Sequence, residues 1–273
     1  MRYAIISDIH SNVQALDSVL ACIDKENVDS ILCLGDIVGY NASPTECLNM
    51  VRNCSKINHI VQGNHDSGVA RLDEMSFSER REWSDDANFG LAYSRSVLAD
   101  HDLKWLKNRP ERETIEDPNI NFHICHYSPC GVCSNWGYIL DKGSAEDAIY
   151  WLKASKINLA FFGHSHLPTV VNTFNKFSKD VNFVMGNVVC EKPIQIEKDN
   201  FYAINCGSVG QPRNKGYTTY GIFDSEKMVV NVKPFEYNIR EAQEAIMNAK
   251  YVVEEANIKL AKRLGRYDDR RYS

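Results

Sequence analysis

Eight side chains able to bind metals or move protons stand just after short apolar runs: Asp8, His10, Asp36, Asn64, His65, His126, His164 and His166. Each run reads as a buried strand, so each group is delivered at a strand's carboxyl end, where α/β sheets gather their ligands. Asp36 is central. It closes the run Ile31, Leu32, Cys33, Leu34, Gly35, and an ionised carboxylate at the mouth of an apolar strand is costly unless it is paired or bound to a cation. Partners lie on both sides, with Asp8 twenty-eight residues before it and Asn64 twenty-eight residues after. Five of the eight histidines fall in this set, which histidines scattered through a core would not do. Imidazole and carboxylate without thiolate suit Mn, Fe, Zn, Ni or Co, and Mg less well.

Seven of these groups (Asp8, His10, Asp36, Asn64, His126, His164, His166) are plausible ligands, more than one ion needs. Two ions sharing Asp36 would each keep room for water, an arrangement used for in-line displacement at phosphorus with metals ~3.5–4 Å apart. A carboxylate bridges two cations more readily than an imidazole nitrogen does. Water or hydroxide between the ions has its pKa lowered toward ~7, so the nucleophile exists at neutral pH without a separate base. His65, next to Asn64, is then left to protonate the leaving-group oxygen. Asn64 can ligate metal through its carbonyl while its amide donates to the phosphate. General acid catalysis supplies ~10²–10⁴-fold, whereas phosphate-ester hydrolysis calls for up to ~10²¹-fold, so charge stabilisation and positioning carry most of the burden.

The elements that must hold these groups follow from periodicity. Residues 2–7 read as a strand; Val13, Leu16, Val19, Leu20 and Ile23 form a helical stripe capped by Ser11 or Asn12. A strand ending at Gly35-Asp36, a helix over 45–53 and a strand over 57–61 complete a β-α-β-α-β order, which implies a largely parallel sheet. Residues 75–109 carry a helical pattern closed by Pro110, and the polar run 111–120 reads as a surface loop. Strands at 122–125 and 159–162, with a helix over 145–155 between them, deliver His126 and the Gly163-His164-Ser165-His166 turn. Short β runs follow at 169–172, 181–189, 201–206, 217–223 and 228–232, with a tight turn over 207–213. An amphipathic helix over 238–266, bearing Ile239, Ala242, Ile246, Ala249, Val253 and Leu260 on one face, is appended to a single domain spanning 1–273.

The chain's 44% hydrophobic and 25% charged residues are ordinary for a globular protein, and a net charge of -5 argues against a protein that coats nucleic acid. The expected partner is a small phosphorylated molecule; assembly into a homo-oligomer is left open. No charged stretch followed by an apolar one opens the sequence, and no long apolar window follows, so neither membrane insertion nor secretion is expected and the setting reads as cytoplasmic. Nine scattered cysteines fit reduced thiols. Cys130 and Cys133 have a metal or redox spacing but lack a second pair, and read as loop residues. Cys125 and Cys206 read as buried, His59 and His123 as packed or edge residues, and His101 as lying near a helix end where a cation is favourable. Arg213 suits a phosphate as a substrate-binding group beside Asn64 and His65; Tyr40, Tyr127 and Trp136 fall on loops where they could stack on a base.

Taken singly, each of these turns reads as well as a cap or a solvated loop. In order, and each after an apolar strand, Asp-Ile-His (8–10), Gly-Asp (35–36), Gly-Asn-His-Asp (63–66), His126 and Gly-His-Ser-His (163–166) resemble the motifs of calcineurin-like metallophosphoesterases. The segment 205–213 extends the resemblance, which is closest to single-domain bacterial and archaeal members grouped with diadenosine tetraphosphatases. It implies a four-layer α/β/β/α sandwich of two mixed sheets flanked by helices. It also implies one metal held by Asp8, His10, Asp36 and His166, and a second held by Asp36, Asn64, His126 and His164. Two departures stand out. Gly39-Tyr40-Asn41 occupies the place of the Asp-Arg-Gly of protein phosphatases, so phosphoprotein activity is not expected, and Ser11 replaces a common glycine with little expected consequence. The resulting expectation is a dinuclear phosphoesterase acting on a small phosphomonoester or phosphodiester, nucleotides among them, with Asp36, Asn64 and His65 catalytic. Alternatives are a dinucleoside polyphosphate hydrolase of the same mechanism, or a non-catalytic scaffold such as the retromer coat subunit of this fold; the complete ligand set and His65 weigh against a scaffold.

Overall fold

In a computed structural model of the chain, residues 1–131, 135–175, 177–178, 180–213 and 217–250 are described. The first part alternates strand and helix: β1 (Arg2–Ile6), α1 (Val13–Asp24), β2 (Ser30–Cys33), α2 (Pro44–Asn53) and β3 (Ile57–Ile60). Asn12 caps α1, its side-chain oxygen accepting from the Ala15 N–H at 3.0 Å. Four helices follow: α3 (Asn64–Ala70), α4 (Phe77–Arg81), α5 (Asp85–Val97) and α6 (Asp100–Lys107). Next come β4 (Arg112–Ile115), β5 (Phe122–Cys125), α7 (Lys142–Ser155) and β6 (Leu159–Phe162). The last part is β7 (Thr169–Thr173), β8 (Val181–Met185), β9 (Ile194–Gln195), β10 (Tyr202–Asn205), β11 (Thr218–Asp224) and β12 (Val229–Phe235), then helix α8, described over 239–250.

The strands form two six-stranded mixed sheets, ordered β3-β2-β1-β11-β12-β9 and β4-β5-β6-β10-β7-β8. In the first, β1, β2 and β3 are parallel; in the second, β5, β6 and β10 are. Side chains alternate across each strand, and the alternation sorts the apolar residues into separate cores. Ala4, Ile6, Ile31 and Cys33 pack under α1 and α2, while Tyr3, Ile5 and Leu32 face the other sheet beside Phe122, Ile124 and Phe161. Ala160 and Phe162 then pack against Ala145, Ala148 and Leu152 of α7. Three apolar interfaces define four layers, so the α/β/β/α sandwich of two mixed sheets is the observed fold. The buried Asp117, which accepts from the Tyr3 hydroxyl and the Ser225 hydroxyl at 2.9 Å each, ties the two sheets together. Burial works to raise its pKa, but these donors and the Asn119 N–H hold it below the usual value.

Several local expectations change. The run 111–120 is not all loop, because Arg112–Ile115 pairs antiparallel with β5; an edge strand with a wet face needs few apolar residues, which hid it. The run 181–189 stops as a strand at Met185, where Gly186 turns with φ +92 and a 3-10 turn, Asn187–Cys190, follows. The two-residue β9 carries no readable alternation. His101 lies in the first turn of α6, the end where a cation is disfavoured rather than favoured, with its Nε2 3.1 Å from Asp102 Oδ1. Of the helix expected over 238–266, residues 251–266 lie outside the described residues, as does Cys133. No helix among the described residues is long and apolar enough to cross a membrane.

Candidate metal centre

The carboxyl ends of β1, β2, β5 and β6 meet at one edge of the sandwich, and the turns after them reverse sharply. Asp8, His10, Asp36, His164 and His166 all have positive φ, between 49 and 68°. Asp and His enter this region more readily than most residues, yet each such turn costs roughly 1–2 kcal/mol. Cross-links between the turns hold it: the Asp8, His10 and Ser11 N–H groups donate to the Gly35, Asp36 and Ile37 carbonyls at 3.1, 2.8 and 2.9 Å. Asp66, buried in α3, accepts from the N–H groups of Ile37, Val38 and Gly63, locking the Gly-Asp turn to the Gly-Asn-His turn. Asn205 donates to the Gly163 carbonyl and Ser208 to the Asp8 carbonyl, so the late segment braces the His164 and Asp8 turns.

The result is a buried cluster in which donor atoms of Asp8, His10, Asp36 and His166 lie within 4.8 Å of one another. On the other side of Asp36 stand His126, its Nε2 at 3.2 Å from Asp36 Oδ2, and Asn64, whose Oδ1 lies 2.9 Å from both His126 Nε2 and His164 Nδ1. Each of these four histidines meets a backbone carbonyl with its other ring nitrogen: His10 Nδ1 with Val38, His126 Nδ1 with Leu34, His166 Nδ1 with Gln211, His164 Nε2 with Trp136. A carbonyl only accepts, so these nitrogens carry the hydrogens. In the neutral rings, Nε2 of His10, His126 and His166 and Nδ1 of His164 then present lone pairs. His10 Nε2 and His166 Nε2 face each other at 3.1 Å, and His126 Nε2 faces two acceptor oxygens. Lone pairs converging without hydrogens between them require cations or extra protons.

Asp36 divides its two oxygens. Oδ1 accepts from the His65 N–H at 2.8 Å, while Oδ2 is buried without a hydrogen-bond partner, 3.5 Å from His10 Nε2 and 3.2 Å from His126 Nε2. One orphaned oxygen between two donor sets fits a cation site on either side.

Burial pushes His10, His164 and His166 well below the usual imidazole range. Burial also works against charge on His126, but the Asp36 and Asp8 carboxylates raise it to about 9. Burial works to raise Asp36 too, and His126, His65 and His10 bring it well below the carboxylate range. Asp8 is raised, chiefly by burial. Such a set binds a cation by giving up the protons it shares.

His65 is buried, its Nδ1 set against Gly39, where a Cβ would come within 2.4 Å of that nitrogen. Burial lowers its pKa to about 4, with Asp36 opposing and His126 and Arg213 assisting. Tyr40, within the segment standing in place of Asp-Arg-Gly, packs on this ring at 4.5 Å, and Trp83 meets it edge-on at 4.9 Å. Arg213 is exposed and lines the cavity above the cluster. Cys125 and Cys206 are buried, and burial raises both thiols, Cys125 to about 12, which leaves them as packing groups.

Residues 1–228 match the calcineurin-like phosphoesterase superfamily domain. The chain belongs to this superfamily. A metallophosphoesterase from Sphaerobacter thermophilus superposes with a TM-score of 0.72 at 31% identity, over 92% of this chain and 95% of that one. An uncharacterized protein of Methanocaldococcus jannaschii is 33% identical over 248 residues, 89% of this chain and 91% of its own length. A symmetrical bis(5'-nucleosyl)-tetraphosphatase of Psychromonas ingrahamii is 26% identical over 148 residues, 54% of this chain and 50% of its own.

In this member of the superfamily, Asp8, His10, Asp36 and His166 are a candidate metal site. Sequence reading missed Asp66, Trp83 and Tyr138 as groups around it. Asp66 had a signal, an acid three residues after Gly63 at the start of a helix; Trp83 and Tyr138 had none. Gly63 is confined by the same packing, since an added Cβ would lie 2.0 Å from Asp36 Oδ1 and 2.2 Å from the Asp36 backbone nitrogen. Gly63→Ala is expected to cost about 1–3 kcal/mol of stability and to weaken metal affinity by about 10–100-fold. Calorimetric melting and metal titration check this; an unchanged melting point and affinity would show that the turn has room to yield.

Proposed function

We propose that the chain is a dinuclear metal-dependent phosphoesterase hydrolysing a small phosphomonoester or phosphodiester. The observation that carries this reading is the buried Asp36 Oδ2, 3.5 Å from His10 Nε2 and 3.2 Å from His126 Nε2, lying between two sets of converging imidazole nitrogens. Asp8, His10, Asp36 and His166 would hold one cation, and Asp36, Asn64, His126 and His164 the other. When bound, the ions supply positive charge beside a phosphoryl oxygen and lower the pKa of a coordinated water toward ~7. The chain's own groups bind and orient. Asn64 would give its carbonyl oxygen, which stands 2.9 Å from His126 Nε2 and His164 Nδ1, to the second cation site and offer its amide N–H to a phosphate oxygen. His65, with Nδ1 against Gly39, turns its other nitrogen to the leaving-group oxygen and moves a proton there. Arg213 on the lining pairs with a phosphate oxygen. In this reading the setting is cytoplasmic, in keeping with the absence of a disulfide among the described cysteines.

Metal-stripped protein refilled with Mn, Fe, Zn, Ni, Co or Mg tests the reading, with p-nitrophenyl phosphate and bis-p-nitrophenyl phosphate as substrates. Stripping is expected to remove at least ~10²-fold of the activity and refilling to restore it, as charge stabilisation dominates phosphoryl chemistry. The better substrate then separates monoesterase from diesterase. Folded, metal-loaded protein that turns over neither of these, nor a dinucleoside polyphosphate, would sink the enzyme reading in favour of a scaffold.

A further inference from the structure

A cavity of about 950 Å³ opens above the cluster, with Asp36, Asn64 and His164 on its lining. Pockets for small organic ligands run to about 300–1,000 Å³, so an inorganic phosphate or a short alkyl phosphate would leave most of this space to water. Its walls are aromatic. Tyr138 stacks on His164 at 3.9 Å, and Tyr40 and Trp83 pack around His65.

Trp136 differs from these. It lines the same cavity, is 69% exposed, and makes no ring contact with the described residues. Its backbone is left-handed at φ 56, unusual for so bulky a residue, and its carbonyl accepts the His164 Nε2–H at 3.3 Å. The Trp136 backbone is thus tied to a site histidine, while its indole on the cavity lining stays largely exposed. Arg213 is a cation on the lining, and no carboxylate among the described residues pairs with it. One cation suits one further phosphate oxygen, and Glu82 on the same lining opposes a longer run of phosphates.

We infer that the ester taken by this cavity carries a planar aromatic group of the nucleobase class, stacked on Trp136, with Arg213 pairing a phosphate oxygen. The inference rests on the phosphoesterase reading, and names its substrate class. Stacking on an exposed indole tolerates any base, so Trp136 selects for a planar ring rather than for a particular nucleotide.

Calorimetric titration of the metal-loaded full chain with adenosine 5'-phosphate and with ribose 5-phosphate isolates the base, because the two probes share sugar and phosphate. The base is expected to tighten binding roughly 5- to 150-fold, the worth of one stacked base by alanine substitution. Trp136→Ala is expected to erase that ratio and Trp136→Phe to keep most of it, with melting curves confirming that both variants fold. Arg213→Gln is expected to weaken both probes by a similar factor. Equal affinity of the two probes for the wild type, or a ratio that survives in Trp136→Ala, would overturn the inference. The two readings fail separately: hydrolysis without a binding ratio removes the subsite alone, and a ratio without hydrolysis of any phosphoester leaves the subsite while the enzyme reading falls.

Discussion

Asp36→Asn is expected to lower kcat/KM by at least ~10³-fold and to reduce the metal content of the folded protein. Removal of one preorganised electrostatic group already costs about 10²–10³-fold, and Asp36 serves both donor sets. The substitution is chosen because it separates charge from architecture. The amide oxygen of Asn can still accept the His65 N–H that Asp36 Oδ1 accepts now at 2.8 Å, so the turn keeps its internal bond. What disappears is the negative charge on Oδ2, the oxygen without a partner between His10 and His126. Metal analysis and steady-state kinetics read the two effects together. A variant that keeps two ions per chain and near wild-type kcat/KM would show that Asp36 does not bridge.

His65→Ala is expected to act differently, lowering kcat by ~10²–10⁴-fold on esters with a basic alkoxide leaving group. With a nitrophenolate leaving group, which departs without a proton, the loss should be much smaller. Metal content should be unchanged, because the His65 ring contacts the cluster through ring packing on His10 at 4.7 Å and not through the orphaned Asp36 oxygen. The buried ring is neutral at pH 7 in the free site, its pKa held to about 4. The negative charge of an arriving phosphate works to raise it. A plot of kcat against leaving-group basicity for wild type and variant checks the role: a steeper slope in the variant supports proton donation, while an equal loss for both ester types would make His65 a packing residue.

Both substitutions concern residues that were visible before any fold was known, and the reason is local. A strand that reads apolar up to its last residue and then turns to Asp, Asn or His announces a polar group at a buried edge. Asp8, Asp36, His126 and the pair His164 and His166 each do this. The α/β class followed from the same periodicity, since alternating strand and helix patterns leave few arrangements. The four-layer sandwich came from resemblance; the observed reason for it is that Tyr3 and Ala4, or Leu159 and Ala160, send neighbouring side chains into different cores. Edge elements were less legible. Arg112–Ile115 joins a sheet while keeping a polar sequence, because an edge strand buries one face at most.

Sequence alone therefore determined which residues gather and at which ends of which strands, because burial patterns are written along the chain. Tertiary structure decided how they present themselves. Which nitrogen each histidine turns inward depends on carbonyls from other parts of the chain, Leu34 for His126, Gln211 for His166 and Trp136 for His164. Which oxygen of Asp36 stays open depends on the His65 N–H. The aromatic walls around His65 and His164 join residues with no shared pattern, Tyr40 with Trp83 and Tyr127 with Tyr138. Hydrogen bonds and ring contacts between segments distant in sequence leave no periodic trace, so only the folded chain could specify them.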